Sequence, residues 1–169
     1  LMSIGFLDAY EAFGNELYLN IALKNAAFIK SKMLQSDGSL HRNYKNNKSN
    51  ISAFLDDYAL AIQLFTKLYS NTFDETWLKT AKDLTEYTLA HFHDSKSGMF
   101  YYTSDVGEQL IARKMELNDN VIPASNSLMA NNLHLKYPLL FFFCRLIIGR
   151  NLTRQHHYLL QFLPKLLQL

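Results

Sequence analysis

A single cysteine, Cys144, stands in a chain of 169 residues. No intrachain disulfide can form, and neither a CxxC redox pair nor a zinc framework can be built. Long apolar runs are equally scarce. The longest extends from Leu139 to Cys144 and stops at Arg145, far short of the ~18–20 residues that cross a bilayer, so no membrane partner is expected. Acid is missing from the end of the chain: all 15 acidic residues lie at or before Asp119. The bases beyond it, Lys136, Arg145, Arg150, Arg154 and Lys165, are too scattered for the dense stripe that nucleic acid requires, so no nucleic-acid partner is expected. There is no HExxH, no Cys/His cluster and no repeated Asp-x-Asp, hence no expected metal site. A Gly-rich phosphate loop and a Gly-x-Ser-x-Gly elbow are also absent, and no cofactor is implied. The chain opens Leu1-Met2 without a basic n-region, so no secretory leader is read, a cytoplasmic location is expected, and the chain reads as excised from something longer.

What is present describes a globular protein. The apolar fraction is 49% and the formal net charge only +2, which suits a folded, soluble chain. The length fits one domain with a sizeable core. The 12 Phe and 10 Tyr suit that core first and a sugar-facing surface second.

The chain repeats itself. Asn15-Glu16-Leu17-Tyr18-Leu19-Asn20-Ile21-Ala22 resembles Asp74-Glu75-Thr76-Trp77-Leu78-Lys79-Thr80-Ala81 at an offset of 59 residues. In each, Asn or Asp is placed to cap a helix, an acid follows in the first turn, and an aromatic and an Ala face inward. A helix precedes each, over Phe6 to Phe13 and over Ser52 to Tyr69, with Ser52 as the expected cap of the latter. A Gly-containing turn follows each, at Gly38 and Gly98. Self-similarity on this scale indicates an array of helical hairpins. Leu55, Tyr58, Ala59, Ile62, Phe65 and Tyr69 share one helical face; Trp77, Ala81, Leu84, Thr88 and Phe92 share another. Met99 to Thr103, a turn through Asp105 and Gly107, and Leu110 to Arg113 read as a small β-hairpin. A further helix starts near Ser125 and uses Leu128, Met129 and Leu133. Pro138 breaks the pattern, and Gln155 to Leu163 reads as a further helix.

Several ordered runs carry a resemblance. They are Leu55-Asp56-Asp57-Tyr58-Ala59, Thr72-Phe73-Asp74-Glu75-Thr76-Trp77-Leu78, Gly98-Met99-Phe100-Tyr101-Tyr102-Thr103, Arg113-Lys114-Met115-Glu116, and Asp119-Asn120 with Pro123-Ala124-Ser125-Asn126-Ser127. Residues 1–137 thereby resemble the YyaL-like family of thioredoxin-domain-containing proteins, related to the spermatogenesis-associated thioredoxin-like protein. The resemblance implies an all-α fold: antiparallel helical hairpins forming part of an (α/α)6 toroid, similar to N-acylglucosamine 2-epimerases and six-hairpin glycosidases. About three of the ring's hairpins are expected here, and no redox function, because the thioredoxin-like domain is missing. Residues 138–169 depart from the family as an apolar, basic tail, expected to be helical and read out of frame. A half-ring exposes the flanks of its end hairpins, so self-association is expected, with Phe141–Phe143 as one contact.

The resemblance implies carbohydrate binding or modification, with a sugar or other small polar ligand as partner. The alternative is a non-catalytic scaffold that binds a protein partner. Candidate site residues gather at two helix starts, where free N–H groups and a positive dipole end favour polar neighbours. Asp56 and Asp57 sit about 100° apart on their helix. One serves the first turn, and the other, Asp57 by preference, is a general base or hydroxyl acceptor. Tyr58 completes this run. Glu116 is the second catalytic candidate. Arg113 either forms a structural salt bridge with it or holds it ionised beside a substrate. Asp119, Asn120, Ser125, Asn126 and Ser127 serve as caps and turn residues or as ligands; Ser125 is read as the cap, which leaves Asn126 for a ligand or a neighbouring loop. Tyr101 and Tyr102 alternate, so one faces outward or into a cavity, where Tyr102 would stack on a sugar. Arg42 and Tyr44 hold a similar place in the first unit. Toroid epimerases use paired histidines; His91 and His93 are too close in sequence to share a face, whereas His41 and His134 can meet only in space.

Overall fold

Asn15 and Asp74 start two helices by the same contact. The side-chain oxygen of Asn15 accepts the N–H of Leu17 at 2.9 Å, and that of Asp74 accepts the N–H of Thr76 at 2.9 Å. Both satisfy a donor that the helix itself leaves orphaned. The computed structural model describes residues 1–106 and 112–134. These residues are mostly helical: α1 Met2–Phe13, α2 Glu16–Lys32, α3 Leu55–Thr72, α4 Glu75–His91, and α5 over 125–134. The tail from 138, Phe141–Phe143, and the Gln155 to Leu163 helix lie outside the described residues.

The repeat seen in the sequence is a repeat of structure. The α1–α2 and α3–α4 hairpins each turn on one left-handed residue, Gly14 (φ 66°) and Phe73 (φ 56°). After α2 the chain bridges Leu34 to Leu40, and after α4 it bridges His93 to Phe100. His41 N–H donates to Met33 O at 2.9 Å and Tyr101 N–H to Phe92 O at 2.8 Å, so each excursion is tied to the end of its helix. The turns are braced alike: Asp37 accepts from Ser39, and Asp94 from Ser97. Gly38 has φ +87°, and a Cβ there would lie 3.2 Å from the Tyr87 ring. Gly38→Ala is expected to cost at least about 1–2 kcal/mol from the left-handed backbone alone. Gly14→Ala, with open space around its Cβ, should cost less; equal losses in parallel urea denaturations would refute the Tyr87 contact.

α3 is the central helix. Leu55, Tyr58, Ala59, Ile62, Phe65 and Tyr69 are all buried, as the stripe predicts. Phe65 stacks on Trp77 of α4 at 5.7 Å, and Tyr58 on Tyr87 at 5.5 Å. α1 runs alongside α3 in the same direction: Lys67 pairs with Asp8 and, at 3.0 Å, with Glu11, which also accepts from Asn71 at 2.8 Å. α5 closes the other side through the buried Met129 and through Asn132, whose amide donates to Ala59 O at 2.7 Å.

One expectation needs correction, and another lies partly outside the described residues. Ser52 does not cap α3. Phe54 is the N-cap residue; it has no side-chain acceptor, and Asp57 supplies the returning half of a capping box by accepting its N–H at 3.0 Å. The expected β-hairpin does not form a pair of strands among the described residues, which hold only isolated bridges. Tyr102 N–H does reach Lys114 O at 2.7 Å, but Tyr101 pairs back to Phe92 and Phe100 with Asn126. Backbone donors that helix ends and an Asn side chain satisfy are unavailable for a ladder. Residues 107–111 lie outside the described residues.

Candidate functional site

Because α1 and α3 run in parallel, their starts lie at one end of the molecule. A cleft of about 280 Å³ opens there between α1, the second half of α2, the Leu40–Arg42 segment and the first turns of α3. Its apolar lining includes Ile4, Ile29, Leu60 and Leu64, and its polar lining includes Asn25, His41, Arg42 and Asp57. Asn25 donates to Ser3 Oγ at 2.6 Å, and His41 Nδ1 meets Ser49 Oγ at 3.1 Å.

Asp57 combines two jobs that the sequence divides between neighbours. Its carboxylate caps Phe54 and also faces Arg42, with Oδ2 3.5 Å from Nε. Burial is the largest influence on this carboxyl and raises its pKa above the usual Asp value. The Phe54 N–H opposes the rise, the charge of Asp56 adds to it, and Arg42 opposes it. Asp56 accepts the N–H of Asp57 at 3.0 Å, and its charge lies near the Tyr102 hydroxyl.

A second polar group lies beside the first. Tyr102 stacks on Phe54 at 4.9 Å, and its carbonyl accepts Leu55 N–H at 3.0 Å. Burial, then the nearby charges of Asp56 and Glu116, raise the pKa of its hydroxyl. The structure therefore brings together Arg42, Asp56, Asp57, Tyr102 and Glu116 around the start of α3.

Other candidates are placed differently. Tyr58 is buried between α3 and α4, where its oxygen accepts Leu40 N–H at 2.7 Å and its hydroxyl is held against Tyr87; burial pushes its pKa upward. Tyr44 packs edge-on against Phe28 at 5.1 Å and donates to Asn47. Arg113 and Glu116 form no ion pair with each other among the described residues. Arg113 donates through Nε to Thr103 O at 3.0 Å and through a terminal nitrogen to His91 O at 2.9 Å, and lies 4.2 Å over Tyr101. It caps the carbonyl end of α4, a contact well suited to a cation.

Glu116 and Asp119 instead serve the start of α5. Ser125 N–H donates to Glu116 at 3.1 Å and Ala124 N–H to Asp119 at 2.7 Å. The Ala124 N–H, and after it the Ser127 side chain, hold the Asp119 carboxyl below its usual pKa. Ser125 is not the cap: its Oγ is buried without a hydrogen-bond partner. Asn126 takes the neighbouring loop, accepting Phe100 N–H at 2.8 Å and donating to Phe100 O and Glu116 O, each at 2.9 Å. Asn120 lies exposed in the loop before α5, its N–H donating to Ile122 O. His41 is engaged with Ser49, and His134 is exposed on α5.

Sequence reasoning missed Ser3 and Asn25. A weak signal exists for Asn25, a polar residue beside the Leu19, Ala22, Ala26 stripe. Among the described residues no group of three or more acidic, His or Cys side chains is arranged to hold a metal. None of their helices is long and apolar enough to cross a membrane.

No protein-family model matches the chain. It is similar to an uncharacterised protein of Caenorhabditis elegans, 30% identical over 144 residues that cover 80% of this chain and 19% of that protein. It is also similar to spermatogenesis-associated protein 20 of rat, 29% identical over 143 residues covering 79% of this chain and 18% of the relative. The human protein of that name is 27% identical over the same shares. The chain thus spans about a fifth of the length of the curated relatives it matches. These matches support a relationship to spermatogenesis-associated protein 20.

Proposed function

We propose that the chain is one stretch of a larger helical-hairpin toroid related to spermatogenesis-associated protein 20, and that its cleft binds a sugar or other small polar ligand. The observation that carries this reading is the cleft itself. An apolar lining next to Arg42 and Asp57, with the Phe54–Tyr102 stack adjoining, matches the usual makeup of small-molecule sites. Sugars present one apolar face and a rim of hydroxyls, which such walls complement. Asp57 is the acid/base candidate, because a carboxyl lifted by burial exchanges protons nearer neutral pH than an ordinary one. Glu116, fixed by Ser125, is the second carboxylate near the Tyr102 hydroxyl. In the whole protein this pair would support epimerisation or glycoside hydrolysis, a reading by fold analogy.

A thermal-shift screen with mono- and disaccharides on the chain and on Asp57→Asn tests this. A ligand at a hundredfold excess over Kd adds about 2.7 kcal/mol to native stability. The expected result is a dose-dependent rise for one sugar class that Asp57→Asn weakens. No rise with any sugar, from a cooperatively folded sample, overturns the reading. The same variant carries a pH signature. The folded state holds the Asp57 proton more tightly than the unfolded state, so stability declines as pH rises from the unfolded pKa through the raised folded one. Asp57→Asn should flatten that decline.

A scaffold reading has its own observation. Phe13 and Phe73 sit at the two hairpin tips and are 76% and 77% exposed, an apolar display suited to a second copy of the chain. Light scattering that shows a monomer at all concentrations would dismiss it.

A further inference from the structure

We infer that the cleft takes a single-ring hydroxylated ligand bearing an oxyanion, carboxylate or phosphate, and that Arg42 is the residue that holds the anion. This rests on the small-polar-ligand reading above and sharpens it to a substrate class. Arg42 is fixed from two sides. Its Nε lies 3.5 Å from Asp57 Oδ2, and its guanidinium carbon 4.7 Å from the centre of the Phe54 ring. Those contacts set the plane of the group and cover one face. They use one edge, and the terminal nitrogens meet no acceptor among the described residues. Arg113 shows the contrast: its donors are spent on two backbone carbonyls and its face on Tyr101.

A planar fork held in place with free donors matches an oxyanion, which accepts two parallel hydrogen bonds from it. Asp57 does not fill that role, because its oxygen stands 3.5 Å from Nε, too far for a good charged hydrogen bond. His41, the other basic side chain on the lining, has Nδ1 engaged with Ser49. Arg42 is therefore the permanent cation of the cleft. The volume of about 280 Å³ falls just below the span of ligand cavities, about 300–1,000 Å³, and so suits one ring rather than a chain of them. Ile4, Ile29, Leu60 and Leu64 offer that ring an apolar wall.

Isothermal titration calorimetry of the whole chain with glucose, glucuronate and glucose 6-phosphate tests this. At least one anionic ligand should bind about tenfold tighter than glucose, the minimum expected from a charged hydrogen bond. Arg42→Gln should reduce that ligand to the level of glucose, and Arg42→Lys, which keeps the charge but not the fork, should retain part of the preference. Preference for glucuronate identifies a carboxylate and preference for glucose 6-phosphate a phosphate; either supports the inference. Equal binding of all three overturns the inference and leaves the sugar site standing, as does an anion preference that survives in Arg42→Gln. No binding of any of the three to the folded chain overturns both.

Discussion

Phe65→Ala is expected to remove about 3–5 kcal/mol of folding stability. Phe65 has no exposed surface, and its ring lies almost parallel to that of Trp77, 5.7 Å away. It joins the central helix to α4. Truncation therefore forfeits both the transfer free energy of the ring and the contacts of the surface around it. Against a total of about 5–15 kcal/mol for a domain, that loss leaves a marginal protein. Urea denaturation would measure it from the midpoint at a constant slope. A loss below about 1 kcal/mol would mean that α3 and α4 do not pack as described.

Asn126→Ala is expected to cost about 3 kcal/mol, a large loss for a change that leaves the helices themselves intact. The side chain holds both polar groups of Phe100 and the carbonyl of Glu116, and is itself 8% exposed. Removing it takes these three hydrogen bonds away from a buried N–H and two carbonyls. Losing a side-chain partner at a buried polar group costs more than the net worth of an average hydrogen bond. Asn126→Asp is a sharper probe, because it keeps an acceptor for Phe100 N–H and sets negative charge against the two carbonyls. Amide exchange at Phe100 should lose protection in both variants while the α3 amides keep theirs. Unchanged protection at Phe100 would sink the assignment.

Local signals in the sequence are those that chemistry two to four residues long can carry. The caps at Asn15 and Asp74 need only an acceptor two residues before an N–H, and both are found as expected. The α3 stripe follows from a helical period over one continuous stretch. The arrangement around α3 was harder to see, because it joins Arg42, Tyr102 and Glu116 across loops of unrelated length. Asp57 was expected to leave the first turn to Asp56; it takes the Phe54 N–H itself and also faces Arg42, a residue of a distant loop. Arg113 was assigned a carboxylate partner by proximity in sequence. The open carbonyl of His91 lies 22 residues away, and no pattern in the chain announces that distance. The loop carboxylates of Glu116 and Asp119 displaced Ser125 from the cap for the same reason.

The hydrogen bond from Asn132 to Ala59 spans 73 residues, against 26 for the Asn126–Phe100 pair. The α1–α2 and α3–α4 hairpins, by contrast, close through links of only a few residues. Contacts near in sequence form early, and those that close long loops form late. The expected order of assembly is that the hairpins condense first and α5 docks on them last. In kinetic terms, truncating Asn132 should speed unfolding and leave the folding rate nearly unchanged.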